Sequence, residues 1–106
     1  MKKNLRLKSN VEIAKLVKLK NTIGDRYYII YIKDSEDTKV AISISKKIGN
    51  AVVRNYQKRV VREIVSKRLN LITNKNILIV IKKTCLDINY HEKEKMLEKL
   101  LIKVNK

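Results

Sequence analysis

The sequence predicts an α+β fold, a two-layer α/β sandwich with helices packed on a small, mainly antiparallel sheet. Three observations lead there. Runs rich in β-branched residues, of strand length, occur at residues 27–32, 40–45 and 76–81. Segments with apolar residues at i, i+3 and i+4 lie before, between and after them. The chain has 106 residues, 44% of them hydrophobic, which suits one domain, residues 1–106, with a core two layers deep. That core must be aliphatic, because there is no Phe or Trp and the aromatics are five Tyr.

A first helix starts at Ser9, whose spacing to Glu12 is that of a capping box. Ile13, Leu16 and Val17 form its apolar stripe, and Gly24-Asp25 marks a turn. Residues 21–23 add a short edge strand before the strand at 27–32. After the polar turn at 34–38 the next strand alternates strictly. Val40, Ile42 and Ile44 take one face, and Ala41, Ser43 and Ser45 the other, so one face is buried and one is more open. The two strands read most simply as an antiparallel hairpin. A basic helix follows over 51–69, with Val53, Tyr56, Val60 and Ile64 as its core stripe and Asn70 as its end. The continuous apolar run at 76–81 reads as a central strand buried on both faces. The last helix starts near Asn89 and buries Met96, Leu97, Leu100, Leu101 and Val104.

The charge is the strongest functional signal. The chain carries 26 Lys and Arg against 10 Asp and Glu, a net +16. Between residues 46 and 62 lie Lys46, Lys47, Arg54, Lys58, Arg59 and Arg62, with no acid among them. Arg54, Lys58 and Arg62 fall at i, i+4 and i+8 and so line up along a helix. Like charges in a row repel, and a nucleic-acid backbone is the polyanion that relieves them. No apolar run approaches the ~20 residues that span a bilayer, so a membrane partner is not expected. The cations at the N-terminus lead into no apolar signal core. With one cysteine and no disulfide framework, this points to the cytoplasm.

Catalytic chemistry is missing. His91 is the single histidine, which rules out a His-paired nucleophile or a multi-histidine metal site. Cys85 has no second Cys or His near it in sequence and reads as half-buried at a strand end. Asp34, Glu36 and Asp37 cluster in a turn, where solvated acids are common. With only Gly24 and Gly49 there is no glycine-rich phosphate loop. No metal site and no protein-bound cofactor are expected, and any enzymatic activity must come through a partner, most simply an RNA. A ribosomal protein would share this charge and size. A helix-turn-helix DNA binder would not contain the strands at 27–45.

Ser45-Lys46-Lys47-Ile48-Gly49-Asn50-Ala51-Val52-Val53-Arg54-Asn55, continuing through Lys58-Arg59-Val60-Val61-Arg62-Glu63, resembles the signature of the bacterial ribonuclease P protein subunit. Arg6-Leu7-Lys8, the tyrosine-bearing strand and the aliphatic strand after the basic helix come in that family's order, so the resemblance covers residues 3–104. It implies an accessory subunit of a ribonucleoprotein endoribonuclease. The catalytic RNA removes the 5′ leader of precursor tRNA with Mg2+ held mainly by the RNA. The protein binds that RNA, contacts the leader and assists cleavage in tRNA 5′ maturation. The implied fold has a left-handed β-α-β crossover through the basic helix, opposite to the general rule.

By the same resemblance the RNA-binding residues are Lys46, Lys47, Asn50, Arg54, Asn55, Lys58, Arg59 and Arg62. The family's Arg-Asn-Arg run is Arg54-Asn55-Tyr56 here, which leaves open whether Tyr56 stacks on RNA or packs. The family's leader cleft maps to Ile13, Val17 and Tyr31, with Ser43 on the open sheet face. Ile13 and Val17 replace phenylalanines and either touch the leader or only pack.

Overall fold

Two antiparallel pairings and one parallel pairing build a four-stranded sheet in the computed structural model, which describes residues 17–18 and 21–104. The strands are β1 (Thr22–Gly24), β2 (Tyr28–Asp34), β3 (Lys39–Ile44) and β4 (Lys75–Ile81), in the order β1-β2-β4-β3. Two helices, α1 (Ala51–Ser66) and α2 (Tyr90–Val104), pack against it, with 3-10 turns at Lys46–Ile48, Leu69–Ile72 and Lys83–Asp87. Val17 and Lys18 are helical; the Ser9 cap and Ile13 lie outside the described residues.

The α+β class stands, but the sheet is mixed and the expected β2–β3 hairpin does not form. β4 lies between the two strands, antiparallel to β2 and parallel to β3. The reason is burial. A hairpin would leave the most apolar strand at an edge, whereas in the centre β4 buries both faces. Ile77, Ile79 and Ile81 join the main core, and Leu78 packs with Ala41 on the other face. Parallel neighbours cannot be joined by a tight turn; α1 is the crossover between β3 and β4.

The main core lies between the sheet and the two helices. Tyr28, Ile30 and Ile32 of β2 and Val40 of β3 meet Val60, Val61, Ile64 and Val65 of α1 and Leu97, Leu100, Leu101 and Val104 of α2. Cys85, expected at a half-buried strand end, is fully buried just after β4, where its thiol donates to the Tyr27 carbonyl at 3.1 Å. Local sequence sets the turns. Asp25 Oδ1 accepts the Tyr27 and Tyr28 N–H groups at 2.7 and 2.9 Å and starts β2. Asn74 adopts φ 58°, tolerated by a short amide side chain, and its N–H donates to Thr38 Oγ1 at 3.0 Å as the chain enters β4.

Candidate nucleic-acid interface

The basic segment is held in place by a series of small caps. Ser45 Oγ accepts the Lys47 N–H at 3.2 Å and opens the 3-10 turn, while Ile48 plugs into the protein at 8% exposure. Lys46 and Lys47 are left exposed at the end of β3. Gly49 then passes so close to α1 that a Cβ would sit 3.0 Å from Val53 Cγ1, so a larger residue there would have to push the Val53 side chain aside. Asn50 is the N-cap, its Oδ1 accepting the Val53 N–H at 3.0 Å. That gives this expected RNA-binding residue a structural task in addition.

Along α1 the row Arg54, Lys58 and Arg62 occupies one half-buried shoulder, and Asn55 and Arg59 lie on the exposed crest. The nearest acid on the helix is Glu63, 3.8 Å from Arg59 Nε in an exposed pair worth well under 1 kcal/mol. Arg54 Nε is buried without a hydrogen-bond partner, so its guanidinium sits at the helix–core boundary.

Tyr56 is not part of the core stripe. It is 52% exposed, and the stripe consists of Gln57, Val60, Val61, Ile64 and Val65. Relative to the sequence reading the buried sector is turned by roughly 60° at 100° per residue, because Val61 and Val65 fill the space over the sheet. The Tyr56 ring instead meets Lys93 of α2, whose ammonium is 5.4 Å from the ring centroid, within cation–π range. Lys93 is 3% exposed, and burial lowers its pKa below the usual lysine range. Sequence reasoning missed Lys93, although its spacing to Leu97, Leu100 and Leu101 (i+4, i+7, i+8) puts it on the buried stripe of α2.

A second surface is the sheet face turned away from α1 and α2. Strand register places Thr22, Tyr31, Leu78 and Ala41 in one row and Gly24, Ile29, Val80 and Ser43 in the next. Tyr31 and Ser43 therefore share a face, two strands and one row apart, Tyr31 half-buried and Ser43 exposed. Val17 is 41% exposed. One row beyond Tyr31, Lys33 and Lys39 flank Asn76, whose Oδ1 is buried without a partner. The sequence reading passed over these two lysines, though alternation with Tyr31 and Ala41 assigns them to this face. Ser43 is three residues before Lys46, so the basic turn joins this face to α1.

Among the described residues no group of three or more His, Cys, Asp or Glu is placed to hold a metal ion. His91 is exposed at the start of α2. Burial raises the Cys85 thiol above its usual range and holds the Tyr28 hydroxyl far above that of an ordinary tyrosine, so neither is an activated nucleophile. Among the described residues no helix is long and apolar enough to cross a membrane. What the surfaces offer is cations, amides and one exposed ring.

The ribonuclease P family model matches residues 1–105. The chain is 37% identical to the ribonuclease P protein component of Bacillus velezensis, over 99% of this chain and 93% of that one. It is 39% identical to the ribonuclease P protein component of Mycoplasma mycoides, over 95% and 96%. Its fold is similar to a Staphylococcus aureus RNase P protein mutant described as defective in mRNA degradation activity, with TM-score 0.88, 28% identity, and 93% and 86% of the two chains covered.

Proposed function

The chain belongs to the ribonuclease P protein family, and on that premise we propose how its two surfaces divide the work. As a ribonuclease P protein component it partners the ribonuclease P RNA in a ribonucleoprotein endoribonuclease of tRNA processing. The basic turn at Lys46 and Lys47 and the crest and shoulder of α1 (Asn50, Arg54, Asn55, Lys58, Arg59, Arg62) dock on the catalytic RNA. The outer sheet face, with Tyr31 and Ser43, receives the 5′ leader of precursor tRNA, together with Val17 and Ile13 as the family resemblance implies. The RNA subunit carries the hydrolysis, and the complex works in the cytoplasm.

The single observation that supports this reading most is the stretch from Lys46 to Arg62, which carries six cations and no acid. Two RNAs brought together repel through their phosphates, and a protein of charge +16 offsets that repulsion. The chain's residues position and neutralise, and no proton transfer is assigned to them. In this reading Mg2+ is the hydrolytic metal, and its oxygen ligands come mainly from the RNA. Lys33 extends the leader face with a further phosphate partner, beside Lys39, whose ammonium is 3.6 Å from Asp37.

The test is reconstitution with the catalytic RNA at low Mg2+ and near-physiological salt, assaying cleavage of precursor tRNA. Cleavage that needs the RNA and is stimulated by the protein is the expected result. The protein alone is assayed on precursor tRNA and, given the name of the staphylococcal relative, on mRNA. Robust RNA-free cleavage of precursor tRNA sinks the reading.

A further inference from the structure

Five large hydrophobic residues are exposed among the described ones, and the two most exposed, Val52 at 78% and Tyr56 at 52%, are neighbours on α1 at i and i+4. They sit on the basic helix, in the position where burial of apolar surface would be least expected to be sacrificed without a partner. Tyr56 is held from the protein side by the buried Lys93 ammonium, 5.4 Å from its ring centroid. A ring held from one side, with more than half of the residue open, is a preorganised flat apolar surface. At about 100° per residue Tyr56 lies ~160° around the helix from Arg54. The cationic shoulder and the ring thus bound the exposed crest on opposite sides, with Asn55 and Arg59 between them.

We propose that Tyr56, with Val52 beside it and Lys93 behind it, is a stacking platform for an unpaired RNA base, working alongside the phosphate contacts of the Arg54–Lys58–Arg62 shoulder. This deepens the RNA-binding reading above and rests on it. The width of the helix with its side chains, about 10 Å, is a span that a nucleotide bridges from phosphate to base. The base must be unpaired, because a duplex hides its base faces. Tyr56 replaces a charge–phosphate contact with a π-contact. The two differ measurably: a phosphate contact releases counterions and depends on salt, and stacking does not.

The experiment measures affinity as a function of salt for two RNAs, the catalytic RNA alone and precursor tRNA on the assembled holoenzyme. Tyr56→Ala lowers the affinity for one of them by about five- to hundredfold, with the slope of log K against log salt unchanged. Tyr56→Phe binds as the native protein does. Whichever RNA shows the loss supplies the base, and either outcome upholds the platform. Tyr56→Arg, which restores the family's Arg-Asn-Arg run, steepens the slope by about 0.7–0.9. Thermal melting of each variant shows that the half-exposed side chain was not needed for folding. If Tyr56→Ala binds both RNAs like the native protein, or Tyr56→Arg leaves the slope unchanged, the platform does not exist while RNA binding stands. If the native protein itself binds neither RNA, the RNA-binding reading falls, and the platform with it.

Discussion

Tyr31 faces Leu78 across the β2–β4 ladder, a half-buried ring beside a leucine that is 4% exposed. The ring packs over the buried centre of this face and is itself half exposed beside it, so its two roles must be separated. Tyr31→Ala is expected to weaken binding of precursor tRNA with a several-nucleotide leader by ~1–3 kcal/mol, with little change for mature tRNA. Tyr31→Phe keeps the packing on Leu78 and removes the hydroxyl, so it separates what the hydroxyl contributes to leader binding from what the ring contributes. The ratio of precursor to mature affinity in the reconstituted enzyme decides. Equal loss for both substrates would mean that Tyr31 only supports the sheet.

The cationic shoulder of α1 makes a prediction in salt. Replacing Arg54, Lys58 and Arg62 together by Gln removes up to three phosphate contacts, each worth roughly 0.7–0.9 in the slope of log K against log salt. The slope for the catalytic RNA should flatten by about two to three units. Glutamine keeps part of each aliphatic stem, which matters because all three side chains are half-buried. An unchanged slope in a folded triple variant would reduce the row to a solvated edge.

Arg68 clamps the two helices. Its Nε donates to Glu98 Oε2 at 3.0 Å, its NH2 group lies 3.3 Å from Glu94, and its NH1 donates to the Ile64 carbonyl at 3.1 Å. The guanidinium side chain is 17% exposed, so these contacts are less screened than those of Arg59. Arg68→Ala should cost ~1–3 kcal/mol in urea unfolding, and Arg68→Lys should recover only part, since one ammonium cannot reproduce the fork. A loss below ~0.5 kcal/mol would place the pair with ordinary surface bridges.

Tyr28 predicts an alkaline limit. Its hydroxyl is buried without a hydrogen-bond partner beside Cys85, whose thiol proton is directed to Tyr27. Burial first, then Cys85 and Asp25, raises its pKa. With a folded pKa above the unfolded value of about 10, the stabilising effect is complete below pH ~10 and is lost as pH rises beyond it. Cys85, also raised, acts in the same sense from its own unfolded value upward. Lys93, lowered by burial, acts in the opposite sense: stability rises as pH climbs through its folded pKa. Tyr28→Phe should be neutral or stabilising by up to ~1 kcal/mol at pH 7 and should show a shallower loss between pH 9 and 11. Thermal melts across that range test it; a variant clearly weaker at pH 7 would show that the hydroxyl makes a useful bond.

Much of this molecule could be read locally. Strand alternation placed Val40 inside and Ser43 outside, and the apolar run at 76–81 revealed the central strand, because side-chain periodicity is a short-range consequence of backbone geometry. Strand pairing was not: whether β2 meets β3 or β4 depends on which strand most needs two covered faces, a comparison across forty residues. Tyr56 was placed in the core stripe with Val53, Val60 and Ile64, and Lys93 was passed over; the buried sectors of the two helices leave Tyr56 at the rim and put Lys93 inside. Phase was the better guide, since Val61 and Val65 had already set the direction of the buried sector.

The crossover through α1 has a thermodynamic consequence. β3 and β4 become neighbours only when the whole segment between them, basic helix included, has closed over the sheet. Closing that long loop costs entropy before any ladder bond repays it, and the cations on the helix add self-repulsion to the cost. A polyanion along α1 relieves that repulsion only in the closed state. Docking and completion of the sheet are thus two sides of one equilibrium, and a ligand at a hundred times its dissociation constant adds about 2.7 kcal/mol to the folded state. An RNA docked on this helix would also help hold β3 against β4.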